Sequence, residues 1–221
     1  MPSDSLLLPL DGLDMPVIPD FRLERLYWQK GYRYIAGVDE AGRGPLAGPV
    51  VAAAVILDPE NVPDGLNDSK KLTAKVRDWL YDEVMTSALA VSVTGLCSES
   101  IDASDILRAS LTAMRLSVTG LAVPADSALF DGRDVPAGLA FPVAPKAVIK
   151  GDGRSLSIAA ASVVAKVTRD RMMTRLGACH AHYGMERHMG YGSQVHRDAI
   201  GRHGGVLRVH RFSFSPLKPR F

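Results

Sequence analysis

The chain has 221 residues, 47% of them hydrophobic and 23% charged, which is typical of one folded domain with a substantial core. It contains no run of about 18 uncharged apolar residues, which argues against a membrane-spanning helix. Its N-terminus lacks the basic start of a secretory signal. Cys97 and Cys179 have no metal-ligand spacing and are expected to be free thiols in a reducing cytoplasm.

The net charge of +2 conceals a strong asymmetry along the chain. Residues 1–140 contain 12 Lys and Arg against 20 Asp and Glu, a net charge of −8, whereas residues 141–221 contain 14 against 4, a net charge of +10. A basic C-terminal third is typical of proteins that bind the phosphate backbone of nucleic acids. A basic surface that is merely solvated would have the same composition, so the charge alone does not settle the function.

Buried strands are predicted where short apolar runs end at glycine, proline or acidic residues. Residues 34–38 and 50–57 predict two strands joined by the Gly/Pro-rich turn AGRGPLAGP. Three further segments predict strands, the last two as central ones: residues 90–96, 127–130 and 146–149. We expect the first three strands to pair antiparallel through short connections, and later helical crossovers permit parallel pairing.

Helical periodicity accounts for much of the remaining chain. It predicts helices over residues 21–30, 73–87, 104–121 and 155–176, with Ser104 as the N-cap of the third. The glycine-rich C-terminal part predicts short helices and loops. A mixed sheet with helices packed on it, an α/β domain, is the expected fold class.

Two of the predicted strands are followed directly by acidic residues. Asp39 and Glu40 come after the first strand, and Asp131 comes after the fourth. Each could be a turn or surface residue when considered alone, but carboxylates at strand ends can converge at one edge of a sheet. Several carboxylates share a small volume only when a cation offsets their repulsion or when they are protonated, and all-oxygen ligation favours Mg²⁺ or Mn²⁺.

A fourth acid, Asp170, lies in the longest predicted helix. The i, i+4, i+7 spacing of Val163, Val167 and Asp170 places this carboxylate on the face that should pack on the sheet. A buried carboxylate is costly unless a cation offsets its charge, and we identify no basic residue at helical spacing on that face. The sequence leaves two interpretations open, a helix-surface position and a metal ligand.

The turn between the first two strands contains Gly42-Arg43-Gly44. Glycines on both sides of an arginine let the backbone approach a sugar or phosphate closely, and the guanidinium supplies a planar set of donors. The same glycines would also suit a tight turn between strands. A phosphate loop is excluded because no Gly-Lys-Ser/Thr follows, and a dinucleotide fingerprint is excluded because the next element is a strand.

Other basic and aromatic residues are candidate substrate contacts. Lys70 precedes a predicted helix, and Lys150 begins a segment leading into the longest helix, whose N-terminus would suit an anion. Tyr191, between two glycines, could place its ring on a sugar or base, or could pack internally. All six histidines lie between His180 and His210 without zinc-ligand spacing, so we assign them to packing or to the surface.

Together these segments resemble the ribonuclease HII family. The strings that carry the resemblance are GVDEAGRGPLAGPV at residues 37–50, LNDSKKL at 66–72, FDG at 130–132, KGD at 150–152 and IAAASVVAKVTRD at 158–170. A C-terminal set completes the pattern: Tyr183-Gly184, His188, Gly190-Tyr191-Gly192 and His210-Arg211-Phe212-Ser213-Phe214. The similarity extends in order from about Tyr34 to Pro216, and the set of motifs is highly specific.

The resemblance implies a ribonuclease H fold, with a five-stranded mixed sheet flanked by helices and a small helical C-terminal part. It implies an endoribonuclease that hydrolyses the RNA strand of RNA–DNA hybrids and cuts 5′ of single ribonucleotides in duplex DNA, leaving 3′-hydroxyl and 5′-phosphate ends. Two Mg²⁺ or Mn²⁺ ions would be held during catalysis by the catalytic acids Asp39, Glu40, Asp131 and Asp170. Substrate contacts are expected from Gly42, Arg43 and Gly44 at the ribose 2′-hydroxyl, from Tyr191 at the RNA–DNA junction, and from Lys70 and Lys150.

Domain organisation and setting follow from the same resemblance. We expect an N-terminal extension over residues 1–20, whose order is left open, a catalytic domain over residues 21–178 and a helical substrate-binding part over residues 179–221. The protein is expected to be a cytoplasmic monomer that acts on nucleic acid without membrane contact, in ribonucleotide excision repair and DNA replication. The related HIII enzymes carry a longer N-terminal extension, which is not expected in this protein.

Three residues depart from the usual family pattern: Asp105 and Arg133 stand where asparagine is usual, and Ser193 replaces a common threonine. None is a catalytic acid, but Arg133 adjoins the site and bears on substrate contacts. Two functions of other classes are alternatives. A non-catalytic module that binds RNA–DNA hybrids would not need the acids, and a two-metal nuclease acting on DNA would not need the Gly-Arg-Gly turn. The presence of both features favours the ribonuclease.

Overall fold

The computed structural model describes residues 18–218, and five strands form one mixed sheet within them. The strands are β1 (Ile35–Ala41), β2 (Val50–Ile56), β3 (Ala90–Leu96), β4 (Ser127–Asp131) and β5 (Lys146–Val148), in the order β3-β2-β1-β4-β5. β2 pairs antiparallel with both β1 and β3, whereas β4 pairs parallel with both β1 and β5. The predicted α/β class and the five-stranded mixed sheet are confirmed.

Seven α-helices surround this sheet within residues 18–218. They are α1 (Arg22–Trp28), α2 (Ala74–Ser87), α3 (Ser98–Asp102), α4 (Ile106–Thr119), α5 (Leu156–Cys179), α6 (Met185–His188) and α7 (Gln194–His203). The periodicity does not indicate α3, and the prediction of Ser104 as the cap of α4 is wrong. Asp105 is the N-cap, because its carboxylate accepts a hydrogen bond from Arg108 N at 2.8 Å. None of the described helices is long and apolar enough to cross a membrane.

Two expectations about the strands are wrong. β5 has only three residues and lies at the edge of the sheet rather than at its centre. The connection from β2 to β3 is not short, since it contains α2, and yet the two strands are antiparallel. Ile56 pairs with Ala90, so the chain re-enters the sheet at the end where it left. A helix in a connection therefore does not by itself impose a parallel crossover.

Helices cover both faces of β2, which explains why this strand is apolar throughout. Ala53 and Val55 belong to a core cluster with α5, whereas Ala52, Ala54 and Ile56 belong to a second cluster with α4. The assignment alternates because successive side chains of a strand point to opposite faces. A strand buried on both faces appears in the sequence as a continuous hydrophobic run, as predicted.

A separate hydrophobic cluster attaches the C-terminal part beside the end of β1. It joins Met173 of α5 and Leu46 and Ala47 of the glycine turn to residues of the C-terminal third, namely Tyr183, Met185, Ala199, Ile200 and Val209. The division into a catalytic domain (21–178) and a substrate-binding part (179–221) stays a prediction. Of the predicted N-terminal extension, residues 1–17 lie outside the described residues.

Candidate active site

Acidic side chains meet at the edge of the sheet where the parallel strands end. Asp39 lies near the end of β1, Asp131 is the last residue of β4, and Asp152 lies in the 3₁₀ turn Gly151–Gly153 that follows β5. One carboxylate oxygen from each of the three lies within 4.8 Å of the other two. The parallel register of β1 and β4 brings Asp39 and Asp131 to the same edge, so their expected convergence is present in the structure.

Asp152 is the member of this group that the sequence reasoning does not identify. The sequence pattern predicts only that the segment after β5 leads into the longest helix. A signal does exist, because Asp152 shortly follows β5 just as Asp131 ends the neighbouring parallel strand. Asp131 Oδ1 also accepts a hydrogen bond from Gly151 N at 2.6 Å, which holds the turn carrying Asp152 against β4.

Asp170 is not part of the acidic group. Its Oδ1 accepts a hydrogen bond from Lys166 Nζ at 2.8 Å, so the expectation that no basic partner stands at helical spacing is wrong. Val163 and Val167 are buried as predicted. Lys166 lines the cleft that contains the acids, whereas Asp170 lines a neighbouring depression between α2 and α5. An ion pair within one helix turn therefore supplies the cation that this carboxylate requires.

Glu40 lines the same cleft but points to the opposite face of β1 from Asp39, because adjacent strand residues alternate. Arg43 Nη1 donates to Glu40 Oε1 at 3.2 Å. The other carboxylate oxygen, Oε2, is buried without a hydrogen-bond partner among the described residues. An unsatisfied buried carboxylate oxygen is costly, and a divalent cation would satisfy it. With Asp131 nearby, the donor set consists of carboxylate oxygens, which fits Mg²⁺ or Mn²⁺.

Burial and the crowding of carboxylates raise the pKa values of several acids at this edge of the sheet. Burial, followed by repulsion from Glu40, Asp131 and Asp152, raises the pKa of Asp39 well above its usual range. Burial raises the pKa of Glu40 to about 7. Burial and repulsion from Asp131 also raise the pKa of Asp152. A cation that binds these groups must displace the protons that they retain, so ion binding is coupled to proton release.

Most of the predicted substrate contacts line this cleft, which has a volume of about 250 Å³. They are Gly42, Arg43, Gly44, Lys70 and Tyr191. Lys70 Nζ lies 3.6 Å from Asp152 Oδ2. Lys150 is not among the residues that line the cleft. It is exposed, and its left-handed backbone (φ 55°) begins the turn that carries Asp152.

The N-terminus of α5, predicted to suit an external anion, holds a carboxylate of the protein itself. Glu24 Oε1 of α1 accepts hydrogen bonds from Ser155 Oγ at 2.6 Å and from Ser157 N at 3.1 Å. Ser155 Oγ in turn accepts from Ile158 N as the N-cap. Glu24 is completely buried, and this burial raises its pKa. The helix N-terminus therefore anchors α1 to α5 directly after the Asp152 turn.

Two buried arginines hold the Gly42–Pro49 loop from the side of the protein interior. The Arg211 guanidinium donates to the carbonyl oxygens of Gly42 and Gly48. Arg169 donates to the carbonyl oxygen of Pro49 at 3.0 Å. Burial and then repulsion from Arg169 lower the pKa of Arg211 to about 9. The sequence reasoning does not predict either role, because the donors and acceptors lie more than 100 residues apart in the chain.

Comparison with known proteins places this fold and site in one family. The family model described as Ribonuclease HII matches residues 36–216. The chain belongs to the ribonuclease HII family. It is 57% identical over 211 residues to ribonuclease HII of Bartonella quintana, covering 96% of this chain and 94% of that protein. It is also 57% identical over 219 residues to ribonuclease HII of Brucella ovis, covering 99% and 97%.

A solved structure shows the same fold. The crystal structure of the ribonuclease H2 from Pyrococcus horikoshii OT3 has a TM-score of 0.72 at 26% identity, with 83% of this chain and 94% of that chain covered. As a member of the ribonuclease HII family, the protein is a nuclease, a hydrolase of the ribonuclease H type. Metal dependence fits the acidic group of Asp39, Asp131 and Asp152.

Two of the three departures from the ribonuclease HII pattern preserve helix caps. Asp105 caps α4, and Ser193 Oγ accepts a hydrogen bond from His196 N as the N-cap of α7. Aspartate and serine are as effective at this position as asparagine and threonine. The third departure, Arg133, is exposed and lines a small depression that also contains Arg43. It therefore adds positive charge next to the acids without contacting them in any described hydrogen bond.

Proposed function

We propose that this ribonuclease HII hydrolyses the RNA strand of RNA–DNA hybrids and cuts on the 5′ side of single ribonucleotides in duplex DNA, leaving 3′-hydroxyl and 5′-phosphate ends. The observation that carries the proposal is that Asp39, Glu40 and Asp131 share one cleft with the Gly42-Arg43-Gly44 turn and Tyr191. The acids can form a hydrolytic centre, and the turn and tyrosine can contact a ribose. The ribose 2′-hydroxyl, both donor and acceptor, is what distinguishes RNA from DNA at one position.

The residues proposed to hold two Mg²⁺ or Mn²⁺ ions are Asp39, Glu40, Asp131 and Asp152. When bound, such ions lower the pKa of a bound water and stabilise charge on the phosphate and on the leaving oxygen. The support for this set is the 4.8 Å grouping of three carboxylates and the unpartnered Oε2 of Glu40. We place Asp170 outside the set, because Lys166 already offsets its charge.

The remaining residues of the cleft are proposed to bind and orient the substrate. The Arg43 side chain is half exposed while it contacts Glu40, so its free donors can reach a phosphate. The Lys70 ammonium is exposed beside Asp152 and can contact the backbone on that side. Tyr191 is 47% exposed, and a Cβ on Gly44 would lie 3.8 Å from its Cε1, so ring and turn can contact one nucleotide together.

The basic C-terminal third is proposed to contact the duplex outside the cleft. Its exposed arginines include Arg187, Arg197, Arg202 and Arg208. The proposed setting is the cytoplasm, where the protein would act as a monomer in ribonucleotide excision repair and DNA replication. Both cysteines are free, as predicted, and thiols of this kind persist in a reducing compartment.

A cleavage assay in Mg²⁺ tests the proposal with three duplexes of one sequence, which contain a single ribonucleotide, a continuous RNA strand or DNA alone. We expect cutting 5′ of the single ribonucleotide and throughout the RNA strand, and none in the DNA duplex. Asp131→Asn should reduce cleavage by orders of magnitude while duplex binding persists, and Asp134→Asn, an exposed acid of the same loop, is the matched control.

Two outcomes would contradict the proposal. Comparable cleavage of the all-DNA duplex would identify a DNA nuclease, for which the Gly42-Arg43-Gly44 turn has no discriminating role. Binding of the hybrid without cleavage by the parent protein would identify a hybrid-binding module, and the acids would then need another explanation.

A further inference from the structure

Two buried histidines face each other behind Tyr191. His196 of α7 and His210 have exposed fractions of 0% and 1%. Their Nε2 atoms lie 3.1 Å apart. His196 Nδ1 lies 2.9 Å from the carbonyl oxygen of Tyr191, and Val206 N donates to His210 Nδ1 at 3.0 Å. Neither histidine lines the acidic cleft, so neither has a role in the mechanism proposed above.

The partners determine which nitrogen of each ring carries the proton. Because His210 Nδ1 accepts from the Val206 amide, the proton of a neutral His210 is on Nε2, and this N–H donates to His196 Nε2. His196 Nε2 is then an acceptor, so its proton is on Nδ1, and this N–H donates to the Tyr191 carbonyl oxygen. The result is one directional chain of hydrogen bonds from Val206 to Tyr191.

Both rings must be neutral for this chain to exist. Burial lowers the pKa of His196 and, together with repulsion from His196, lowers the pKa of His210 to about 4. A proton added to His196 would place its Nε2–H against the Nε2–H of His210, and a proton added to His210 would place an Nδ1–H against the Val206 amide, so either proton would break the hydrogen-bond chain. The His188 ring stacks on His196 with centroids 4.5 Å apart, and the Tyr183 ring lies 4.8 Å from that of His210, so neighbouring rings enclose the pair.

The chain of hydrogen bonds also connects Tyr191 with the loop that carries Gly42-Arg43-Gly44. His210 forms an isolated β-bridge with Ala47 of this loop. Leu46 N donates to the carbonyl oxygen of Gly190, directly before Tyr191. Contacts therefore run from Ala47 of the loop to His210, from His210 to His196 of α7, and from His196 to Tyr191. The hydrogen bond between Gly190 and Leu46 returns to the loop and closes the ring.

We propose that His196 and His210 are positioning residues that orient Tyr191 relative to the Gly42–Pro49 loop through this directional chain of hydrogen bonds. Tyr191 requires such hydrogen bonds because the glycines on both sides of it leave the backbone there intrinsically flexible. The effect on cleavage rests on the proposed function, in which Tyr191 contacts the nucleotide, whereas the hydrogen-bond chain is a property of the free protein. The contrasting explanation is that two histidines simply fill space in a core.

The first test requires no substrate. In protein labelled with ¹⁵N at the histidine rings, long-range proton–nitrogen correlation spectra at neutral pH assign the tautomer of each ring. We expect His196 to carry its proton on Nδ1 and His210 on Nε2. The opposite tautomers, a charged ring or a mixture of tautomers would contradict the proposed chain of hydrogen bonds.

The second test is a double-mutant cycle that measures kcat/KM on the single-ribonucleotide duplex. His196→Phe keeps the ring shape and removes both hydrogen bonds, so we expect a loss of about tenfold in the parent background. In the Tyr191→Ala background the same substitution should have almost no further effect. His196→Asn, whose amide nitrogen can replace Nδ1 as a donor to Tyr191, should recover much of the loss. His203→Phe, at the exposed end of the same helix, is the control.

The outcomes separate this inference from the proposed function. Equal losses in both backgrounds, or an Asn variant no better than the Phe variant, would show that His196 acts only through the core and would overturn the positioning role. A parent protein that does not cut at ribonucleotides would contradict the proposed function, and the tautomer assignment would still test the chain. If His196→Phe does not fold, the Asn variant and the spectra decide the question.

Discussion

Asp152 and Asp170 are both partly enclosed acids, and their nearest neighbours give them different chemistry. Asp152 lies beside Asp39 and Asp131, and burial, followed by repulsion from Asp131, raises its pKa. Asp170 lies 2.8 Å from Lys166 Nζ, which already offsets its charge. The ammonium of Lys70, 3.6 Å from Asp152 Oδ2, is largely exposed and so offsets the shared charge of the three acids only weakly, whereas Lys166 pairs with Asp170 alone.

The two acids should therefore respond differently to the same substitution. Asp152→Asn removes a proposed ligand and should lower Mg²⁺-dependent cleavage by orders of magnitude while the protein still melts cooperatively. Asp170→Asn removes an ion pair worth about 0.5–1 kcal/mol and should leave cleavage within a few-fold of the parent. Parallel rate and melting measurements check this. A strongly impaired Asp170→Asn with an unchanged melting curve would restore Asp170 as a metal ligand.

The pKa of Glu40 predicts how the stability of the metal-free protein depends on pH. Its pKa of about 7 in the folded protein exceeds the 4.5 of a free glutamate, so the folded state retains this proton to higher pH. The contribution of Glu40 to the free energy of unfolding is fully present below about pH 4.5 and is lost as the pH rises through about 7.

Melting temperatures in EDTA between about pH 5 and about pH 8 test this, with Glu40→Gln as the comparison. The parent should lose stability relative to the Gln variant over this range, because the glutamine cannot ionise. Excess Mg²⁺ should restore the stability of the parent at the upper end by binding the ionised form. Melting temperatures that change equally with pH in the two proteins would show that the Glu40 carboxyl titrates at its ordinary pKa.

The packing of β1 on α5 is so close that it leaves no space for one side chain. A Cβ on Gly37 would overlap the backbone at Ser157 and Ile158, near the start of the helix. Gly37 lies two positions before Asp39 on the same face of β1. The close approach of strand and helix therefore positions the strand end that carries the acids.

Gly37→Ala should lower the free energy of unfolding by about 2–3 kcal/mol, because neither backbone can move aside without disturbing the sheet. Gly95→Ala on β3 is the matched control, since its Cβ would meet no atom closer than 3.7 Å. Denaturant unfolding of the two variants measures the difference. Equal stabilities would show that the helix can shift away from β1 at little cost.

The molecule as a whole has an acidic N-terminal two thirds and a basic C-terminal third, and the cleft lies where they meet. The acids on β1 and β4 line the same cleft as Tyr191, which belongs to the basic part. This separation of charge lets the basic part attract phosphates while the acids remain available for cations.

If the basic third contacts the duplex, the logarithm of the binding constant should fall linearly with the logarithm of the salt concentration, by about 0.9 per phosphate contact. Removing the charges of Arg197 and Arg202 should reduce this slope by up to about 2, whereas Arg25→Gln on α1 should leave it unchanged. Binding titrations with Asp131→Asn protein avoid cleavage during the measurement. A slope unaffected by the double substitution would show that these arginines are only solvated.

The short-range pattern of the chain was sufficient to predict most elements and the first three acids. Strand alternation, apolar runs and helical periodicity depend on residues a few positions apart, so they can be interpreted without a partner element. Asp39, Glu40 and Asp131 are predicted for the same reason, because each lies at or near the end of a strand.

Packing between distant segments settled the remaining features. The Asp170–Lys166 pair is an i, i+4 contact within one helix, which the spacing in the sequence does contain, whereas Asp152 joins Asp39 and Asp131 only because folding brings the turn after β5 to them. The hydrogen bonds of Arg211 to the glycine loop and those between His196 and His210 join segments whose proximity exists only after folding. Periodicity describes each element by itself, whereas a site depends on the angles and distances at which elements meet.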